Sequence, residues 1–433
     1  MAQDFTFVVF GGTGDLAKRK LAPAFANLLS RSAISEKSVL IGVARGDFTD
    51  NTYKKLIVDS AKKDKDKKAL KKLKIKFFRG DASKPETLSG LSSFIKSNSN
   101  SDSKKLFYLA TSFKLFIPIV KELKNQSLNL GSKIIFEKPF GNSSRAAKEI
   151  EEFMAQSFGK QDIYRIDHYL GKETVQNIKN LKFQNVFFEP LLNKRFVESI
   201  EVIASEDMGV GERLGYYHES GAIKDMVQNH LLQVLSLVLM DRPETSFHEK
   251  KIQALKSLSF DETQKNIIGH YIGYRDEVEK NNLPRLKTET FARLFFKSDA
   301  ERWKGTKFIL QTGKLLHKKE GKIIINFKTK GHEKNKIIIN IFPTQDVHIH
   351  FNTRVPGTGK LDKAVFDFCH ECKFGPNTID EYAVLLEESI KGNTALFPSS
   401  AEILESWRII EQINKNKIKF VQYAQSSNPE EIN

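Results

Sequence analysis

Cysteine is nearly absent, with two residues in a chain of 433. Two thiols cannot staple a scaffold of this size, so a disulfide-rich secreted fold is excluded and a reducing compartment is expected. The pair stands as Cys369-His370-Glu371-Cys372, but a structural zinc needs four ligands and no second CxxC exists. Haem attachment requires His directly after the second cysteine, where Lys373 stands. Two free thiols and no metal are therefore expected. Long apolar runs are missing as well. The best, Leu231 to Met240, covers ten residues and includes Gln233 and Ser236, short of the ~18 that span a bilayer. The first residues have neither the basic n-region nor the cleavable apolar segment of a signal peptide. A cytoplasmic protein without a membrane partner is the expectation.

Basic charge, by contrast, is in excess, at +16. Nucleic-acid binding, an anionic small substrate and a lysine-rich solvated surface would each account for it. Lysines are densest from Lys54 to Lys76, where Lys62-Lys63-Asp64-Lys65-Asp66-Lys67-Lys68 alternates sign without an aromatic ring. A single-strand groove would interleave aromatics to stack bases, and no zinc-finger, RRM or helix-turn-helix pattern is present. The stretch reads as a solvated helix face, with no nucleic-acid partner.

The length exceeds one ordinary core and predicts two domains. The first half alternates strand and helix, with strands at Phe5 to Phe10, Val39 to Ala44, Ile75 to Phe78, Leu106 to Ala110 and Lys133 to Phe136. Such alternation predicts right-handed crossovers and a Rossmann-like, doubly wound parallel sheet over 1–166. Beyond residue 165 come strand-like runs at Val197 to Ala204, Phe291 to Phe296, Phe308 to Thr312, Lys322 to Phe327, Lys336 to Phe342 and Val347 to Asn352. An apolar helix, Ala222 to Met240, interrupts them, and helices at Tyr382 to Ile390 and Ala401 to Ile413 follow. This half, 167–433, predicts an α+β domain with a large, mainly antiparallel sheet. The Asn/Glu/Pro-rich tail from Ser426 is expected to fray.

Five places carry chemistry. After the first strand, Gly11-Gly12-Thr13-Gly14-Asp15-Leu16-Ala17 reads G-x-G-x-x-A from Gly12, in the strand–turn–helix setting that lets a backbone approach a pyrophosphate. The second strand ends Val43-Ala44-Arg45-Gly46. A guanidinium there suits the 2′-phosphate of NADP, whereas an NAD enzyme offers a carboxylate. Asp47 keeps NAD open as the weaker alternative. Glu137-Lys138-Pro139-Phe140-Gly141 follows the fifth strand, at the carboxyl edge where doubly wound sheets bind ligands; a lysine there reaches substrate and cofactor, or is a surface residue before a proline. The helix Asp225-Met226-Val227-Gln228-Asn229-His230 offers an imidazole that is either a satisfied core histidine or a base.

The densest segment is Arg165-Ile166-Asp167-His168-Tyr169-Leu170-Gly171-Lys172, where only Ile166, Leu170 and Gly171 lack a polar side chain. Burying so many polar groups without partners costs several kcal/mol apiece. The segment reads as the wall of a pocket for a small, anionic, hydrogen-bonding ligand. A carboxylate in that wall, Asp167, could orient the His230 imidazole as a base.

The runs GGTGDLAKRKL (11–21), EKPFG (137–141), RIDHYLGKE (165–173), GYY (215–217) and DMVQNHLLQ (225–233) occur in this order, followed by RW-KG-KF, Gly313-Lys314, EYAVLLEESIKGNTALF (381–397) and Trp407. In this the chain resembles the glucose-6-phosphate dehydrogenase family over essentially its whole length. The resemblance implies an oxidoreductase of carbohydrate metabolism, at the entry to the oxidative pentose phosphate pathway. It implies NADP as cofactor, glucose 6-phosphate as substrate, and a homodimer formed through the large sheet, with a tetramer as the larger alternative. By the same resemblance His230 is the base and Asp167 its orienting partner. His168, Tyr169 and Lys172 hold the sugar phosphate, while Lys138, Glu206, Asp225 and Lys314 meet sugar hydroxyls. Lys319 is a second lysine of the sugar pocket and Lys20 reaches the substrate side. Gly12, Thr13, Gly14, Asp15, Leu16, Arg45 and Lys138 face the cofactor. Two departures in the residues touch cofactor geometry, affinity and any accessory nucleotide site: Gln311 stands where the family has Arg, and Ala110-Thr111-Ser112-Phe113-Lys114 lacks the usual proline; the chain is also shorter than typical members, mostly in its second half. An alternative is a related sugar or inositol dehydrogenase with the same Glu-Lys-Pro motif, which would have no use for His168, Tyr169 and Lys172 around a phosphate.

Overall fold

Strand β1 (Phe5–Phe10) is buried at every position, as a continuous apolar run must be when both faces of a parallel sheet are covered. In the computed structural model, which describes residues 3–432 apart from 245, 285, 330–333 and 376–378 and leaves out the Glu371 side chain, it is central to a six-stranded sheet. The others are β2 (Val39–Ala44), β3 (Lys74–Arg79), β4 (Lys104–Leu109), β5 (Lys133–Glu137) and β6 (Ile163–Ile166). Every pairing is parallel and the order is β3-β2-β1-β4-β5-β6. The order reverses between β1 and β4, which opens a ligand crevice at the carboxyl ends of those strands. The expected parallel sheet is present, with β6 as a sixth strand.

The chain forms two compact units, one of Met1–Gly171 with Ile379–Ser400, the other of Lys172–Thr378 with Ala401–Asn433. The first therefore includes the helix Glu381–Lys391, whose Tyr382, Leu385 and Leu386 join Phe5, Phe7, Phe25 and Tyr164 in its core. The lysine-rich stretch forms the helices Asp50–Ser60 and Asp64–Lys72; only Ala69 and Leu70 of the latter are buried, and its lysines are on the solvated face.

The second unit is built on a large sheet of β7 (Val197–Ser205), β8 (Leu258–Phe260), β9 (Ile267–Tyr271), β10 (Phe291–Ser298), β11 (Lys307–Gly313), β12 (Glu320–Phe327), β13 (Lys336–Phe342), β14 (Asp346–Arg354), β15 (Leu361–Cys369) and β16 (Lys419–Tyr423). Its order is β15-β14-β13-β12-β7-β11-β10-β9-β16, with β8 on β10. Pairing is antiparallel except for β7 with β11 and β9 with β16. Buried and half-buried residues alternate along β12 and β13, the period-2 pattern of a sheet with one packed face. No helix among the described residues is long and apolar enough to cross a membrane.

Three expectations need correction. The tail does not fray: Pro429–Glu431 makes a short 3₁₀ turn, and Ile432 is buried in a cluster with Tyr271, Phe291 and Tyr423. The Arg293 guanidinium donates to the Pro429 carbonyl and fastens it. The cysteines are not free thiols. Cys369 and Cys372 are joined in a disulfide, their Cα atoms 5.2 Å apart where β15 runs into the helical turn His370–Phe374, a separation that lies within disulfide reach. Finally, Ala222 to Met240 is not one regular helix. A π-helical stretch, Ile223–Leu231, precedes the α-helix Leu232–Leu239.

Candidate active site

The glycine turn after β1 is fixed by crowding. Gly11 has φ +80°, and a Cβ on it would lie 2.4 Å from the Ala110 carbonyl oxygen. On Gly12 a Cβ would meet Gly42 Cα at 2.7 Å and the Tyr53 hydroxyl at 2.8 Å. That hydroxyl donates to the Gly12 carbonyl at 3.0 Å, so the turn is held flat against β2 and only hydrogen fits. Thr13 and Leu16 are half-buried, while Gly14 and Asp15 are open to solvent. A π-helical turn, Ala17–Leu21, follows and carries Lys20.

Arg45 is exposed just past the end of β2. Asp47 is 89% exposed, with its carboxylate 3.6 Å from Arg79 at the end of β3, so it is turned outward. Arg79 thus adds a second guanidinium to this rim. Its signal was the strand end itself, Phe77-Phe78-Arg79, next to β2 in the sheet.

Glu137 ends β5 and Lys138 follows it. The Tyr108 hydroxyl donates to the Glu137 carboxylate at 2.5 Å, and the Tyr382 hydroxyl bonds the same group. Removal from water dominates and pushes the Glu137 acid up to about 7 against the two tyrosines and Lys138, with Asp167 adding to the rise. β6 leads into the densest motif, and its residues divide by role. Arg165 is buried in a two-pronged ion pair with Glu151, its Nε 2.7 Å from Oε1, so it locks the helix Ser144–Ala155 to the sheet and is no pocket wall. Asp167 is 2% exposed and accepts from the Tyr169 amide at 3.0 Å. His168 is half-buried, its ring 5.0 Å from that of Tyr169. Lys20 pairs with Glu381, Nζ to Oε1 3.0 Å. The first unit thus gathers Asp167, His168, Tyr169 and Lys138 at the carboxyl edge, with Glu381 and Tyr382 beside Lys20.

In the second unit the π-helical stretch Ile223–Leu231 places Asp225 and His230 on one element, packed against β7 and β11. Isolated π turns inside helices recur at functional sites, because each extra residue displaces the side chains around it. His230 is fully buried and Asp225 is 2% exposed, with the Tyr216 hydroxyl 3.3 Å from Asp225 Oδ1. Lys314 is ion-paired with Glu206 and lies 5.4 Å above the Tyr217 ring. Burial first, and then the Asp225 carboxylate, raise the Tyr217 phenol, with Tyr423, Glu289 and Glu206 adding to the rise. Tyr217 was legible only as part of the GYY run. Lys172 Nζ lies 5.4 Å from the Phe342 ring centre. Lys319, which is exposed, shares with Phe342 a cavity of about 660 Å³. Gln311 is buried and accepts from Arg293 Nε at 2.7 Å, a structural role for one of the two departures.

Residues 8–177 match the model of the glucose-6-phosphate dehydrogenase NAD binding domain, and residues 179–433 match that of the glucose-6-phosphate dehydrogenase C-terminal domain. The chain belongs to the glucose-6-phosphate dehydrogenase family. A relative from Borreliella burgdorferi, glucose-6-phosphate 1-dehydrogenase, is 36% identical over 95% of this chain and 91% of its own. A glucose-6-phosphate dehydrogenase solved in complex with its substrate glucose-6-phosphate superposes with a TM-score of 0.89 at 26% identity, covering 99% of this chain and 96% of that one. The glucose-6-phosphate 1-dehydrogenase of Mycobacterium avium gives 0.86 at 27% identity, over 99% and 95%. Family membership over both halves removes the support for the alternative of a related sugar or inositol dehydrogenase.

Proposed function

We propose that the chain oxidises D-glucose 6-phosphate at C1 with NADP, giving 6-phospho-D-glucono-1,5-lactone and NADPH, as a homodimer in the cytoplasm. The single observation that carries this reading is the match of both halves to the two domain models of the family. The first unit is the NADP-binding domain and the second the substrate-binding and dimerisation domain. The turn at Gly12, Thr13, Gly14, Asp15 and Leu16 fits a dinucleotide, since the absence of Cβ atoms at Gly11 and Gly12 is enforced by the packing. The exposed Arg45 supplies the charge that a 2′-phosphate needs. When bound, NADP accepts the C1 hydrogen as hydride.

In this reading the C1 hydroxyl proton passes to the His230 imidazole as hydride leaves. Asp167 keeps the ring oriented and stabilises the imidazolium. His168, Tyr169 and Lys172 bind the phosphate through charge-assisted bonds, while Lys20, Lys138, Glu206, Asp225, Lys314 and Lys319 take the sugar. Full burial of His230 serves this role, because a dry base keeps its proton from exchanging with bulk water.

The test is NADPH absorbance with glucose 6-phosphate against glucose, each with NADP and with NAD. Turnover of glucose 6-phosphate with NADP well above the other three combinations supports the reading. Equal rates with the unphosphorylated sugar would overturn the phosphate assignment.

A further inference from the structure

The helix Glu381–Lys391 begins where several side chains of the first unit meet. Asp380 caps it, accepting from the Tyr382 amide at 2.9 Å, so the first turn has a fixed orientation. The turn is seated on the pocket motif itself: a Cβ on Gly171 would lie 2.7 Å from the Glu381 carbonyl oxygen and 3.1 Å from Leu385 Cδ1. Tyr382, 5% exposed, then reaches three groups at once. Its hydroxyl bonds the Glu137 carboxyl, on the residue before Lys138. Its ring lies parallel to that of His168, with centres 6.3 Å apart and planes 13° apart. The Lys20 ammonium stands 5.4 Å over the same ring and is also ion-paired with Glu381 at 3.0 Å.

Lys20 and His168 come from elements far apart in sequence. Lys20 is on a π turn after β1 and His168 on the loop after β6. Both are in contact with the Tyr382 ring. A long lysine side chain has many rotamers to lose on ordering, and a cation over an aromatic face removes much of that freedom before any ligand arrives. An imidazole stacked on a phenol is confined to one plane in the same way.

From these contacts we infer that Tyr382 is a positioning residue for recognition of the sugar phosphate: its ring sets the directions of His168 and Lys20, and its hydroxyl ties that ring to Glu137 and the start of the Lys138 loop. The inference rests on the reading that His168 and Lys20 face glucose 6-phosphate. Its effect is expected in substrate KM more than in cofactor KM, because the two groups its ring holds, His168 and Lys20, are on the substrate side in that reading.

Two variants separate ring from hydroxyl. Tyr382→Leu removes both and should raise the KM for glucose 6-phosphate about tenfold, the combined loss of one cation–π and one ring contact, with the KM for NADP within about twofold. Tyr382→Phe keeps the ring and should hold the glucose 6-phosphate KM within about threefold of wild type. If Tyr382→Leu does not fold, Tyr382→Met, which fills the volume without a ring, takes its place. Equal damage from Phe and Leu, or parallel rises in both KM values, would overturn the inference. His168→Ala is measured alongside. If His168→Ala leaves substrate KM unchanged, the assignment of His168 itself is wrong; if it raises KM while Tyr382→Leu does not, only the role of Tyr382 fails.

Discussion

At the scale of single residues, the sequence identified most of the groups the structure gathers, because chemistry of this kind is local. Asp167, His168 and Tyr169 are consecutive, and Asp225 and His230 share one helical stretch. What it could not separate was role within a motif. Arg165 looked like a pocket cation, yet it is spent on Glu151, fourteen residues earlier on a helix no local pattern joins to β6. His230→Asn should keep the fold and substrate affinity while lowering kcat by ~10²–10⁴, the range of general-base catalysis. Steady-state kinetics checked against thermal melting decide it, and a variant within threefold of wild type would remove His230 from the mechanism. Asp47 faces outward beside Arg79 and leaves the guanidinium groups to meet the cofactor at this rim. Arg45→Ala should lower the NADP/NAD ratio of kcat/KM about tenfold, the worth of one charge-assisted contact. Arg45→Ala with Arg79→Ala should lower it further, since Arg79 stands on the same rim; an unchanged ratio in both would mean that neither arginine selects the cofactor.

Elements were legible where their period was clean. β13 alternates buried and half-buried residues throughout, and β12 does so up to Asn326, and the sequence pattern shows both. β15 was not, because all but two of its residues are exposed, leaving no contrast between faces for a period-2 pattern to show. β6 is only four residues long, and the π turns differ from α-helix by single inserted residues that hydrophobic spacing cannot resolve. Helix-to-helix charge was equally hidden. Glu402, on the helix Ser400–Glu411, is fully buried, with Lys251 Nζ 2.6 Å from Oε2 and His248 Nδ1 2.7 Å from Oε1. Lys251 also donates to Gln233 on the helix Leu232–Leu239 at 2.7 Å, so one carboxylate organises three helices of the second unit. Burial alone would raise this acid, but Lys251 and then His248 outweigh it and hold it down from its ordinary 4.5 to about 2. A depressed folded-state carboxylate contributes stability that is complete above its unfolded value and is lost as pH falls through its folded one. Glu402→Gln should therefore cost about 3 kcal/mol at pH 7. Urea melts should show the gap to wild type narrowing as pH falls from 4.5 towards 2; a constant gap would mean that the carboxylate charge is not what binds the helices.

On the scale of the whole molecule, length predicted two domains and the order of strands and helices predicted the two sheet types, but not where the packed face of the large sheet, with Ile337, Ile339 and Val347 buried, runs out towards its edge. That requires register. Val347 pairs with Phe368, Ile349 with Phe366 and Phe351 with Ala364, so these residues share one face of β14 and β15, where the Phe351 and Phe366 rings stack at 4.6 Å. Phe366 is 66% exposed and Phe368 38%, and β15 is the last strand of its sheet. An uncovered aromatic face at a sheet edge is a liability that folded proteins remove by pairing or covering. The proposed homodimer would supply the cover: a second copy laid on β14 and β15 would bury these rings with their equivalents across a two-fold axis, an arrangement in which each exposed ring would count twice. Phe366→Lys should then raise the dimer dissociation constant by about 100-fold or more, since each buried phenylalanine is worth ~1.5–3 kcal/mol and two are lost per dimer. Sedimentation velocity across a dilution series reads this directly. Wild type should sediment as a dimer at concentrations where the variant is monomeric, while Lys62→Ala, on the solvated surface of the first unit, should leave the distribution unchanged. A Phe366→Lys protein that stays dimeric throughout would move the interface away from β15.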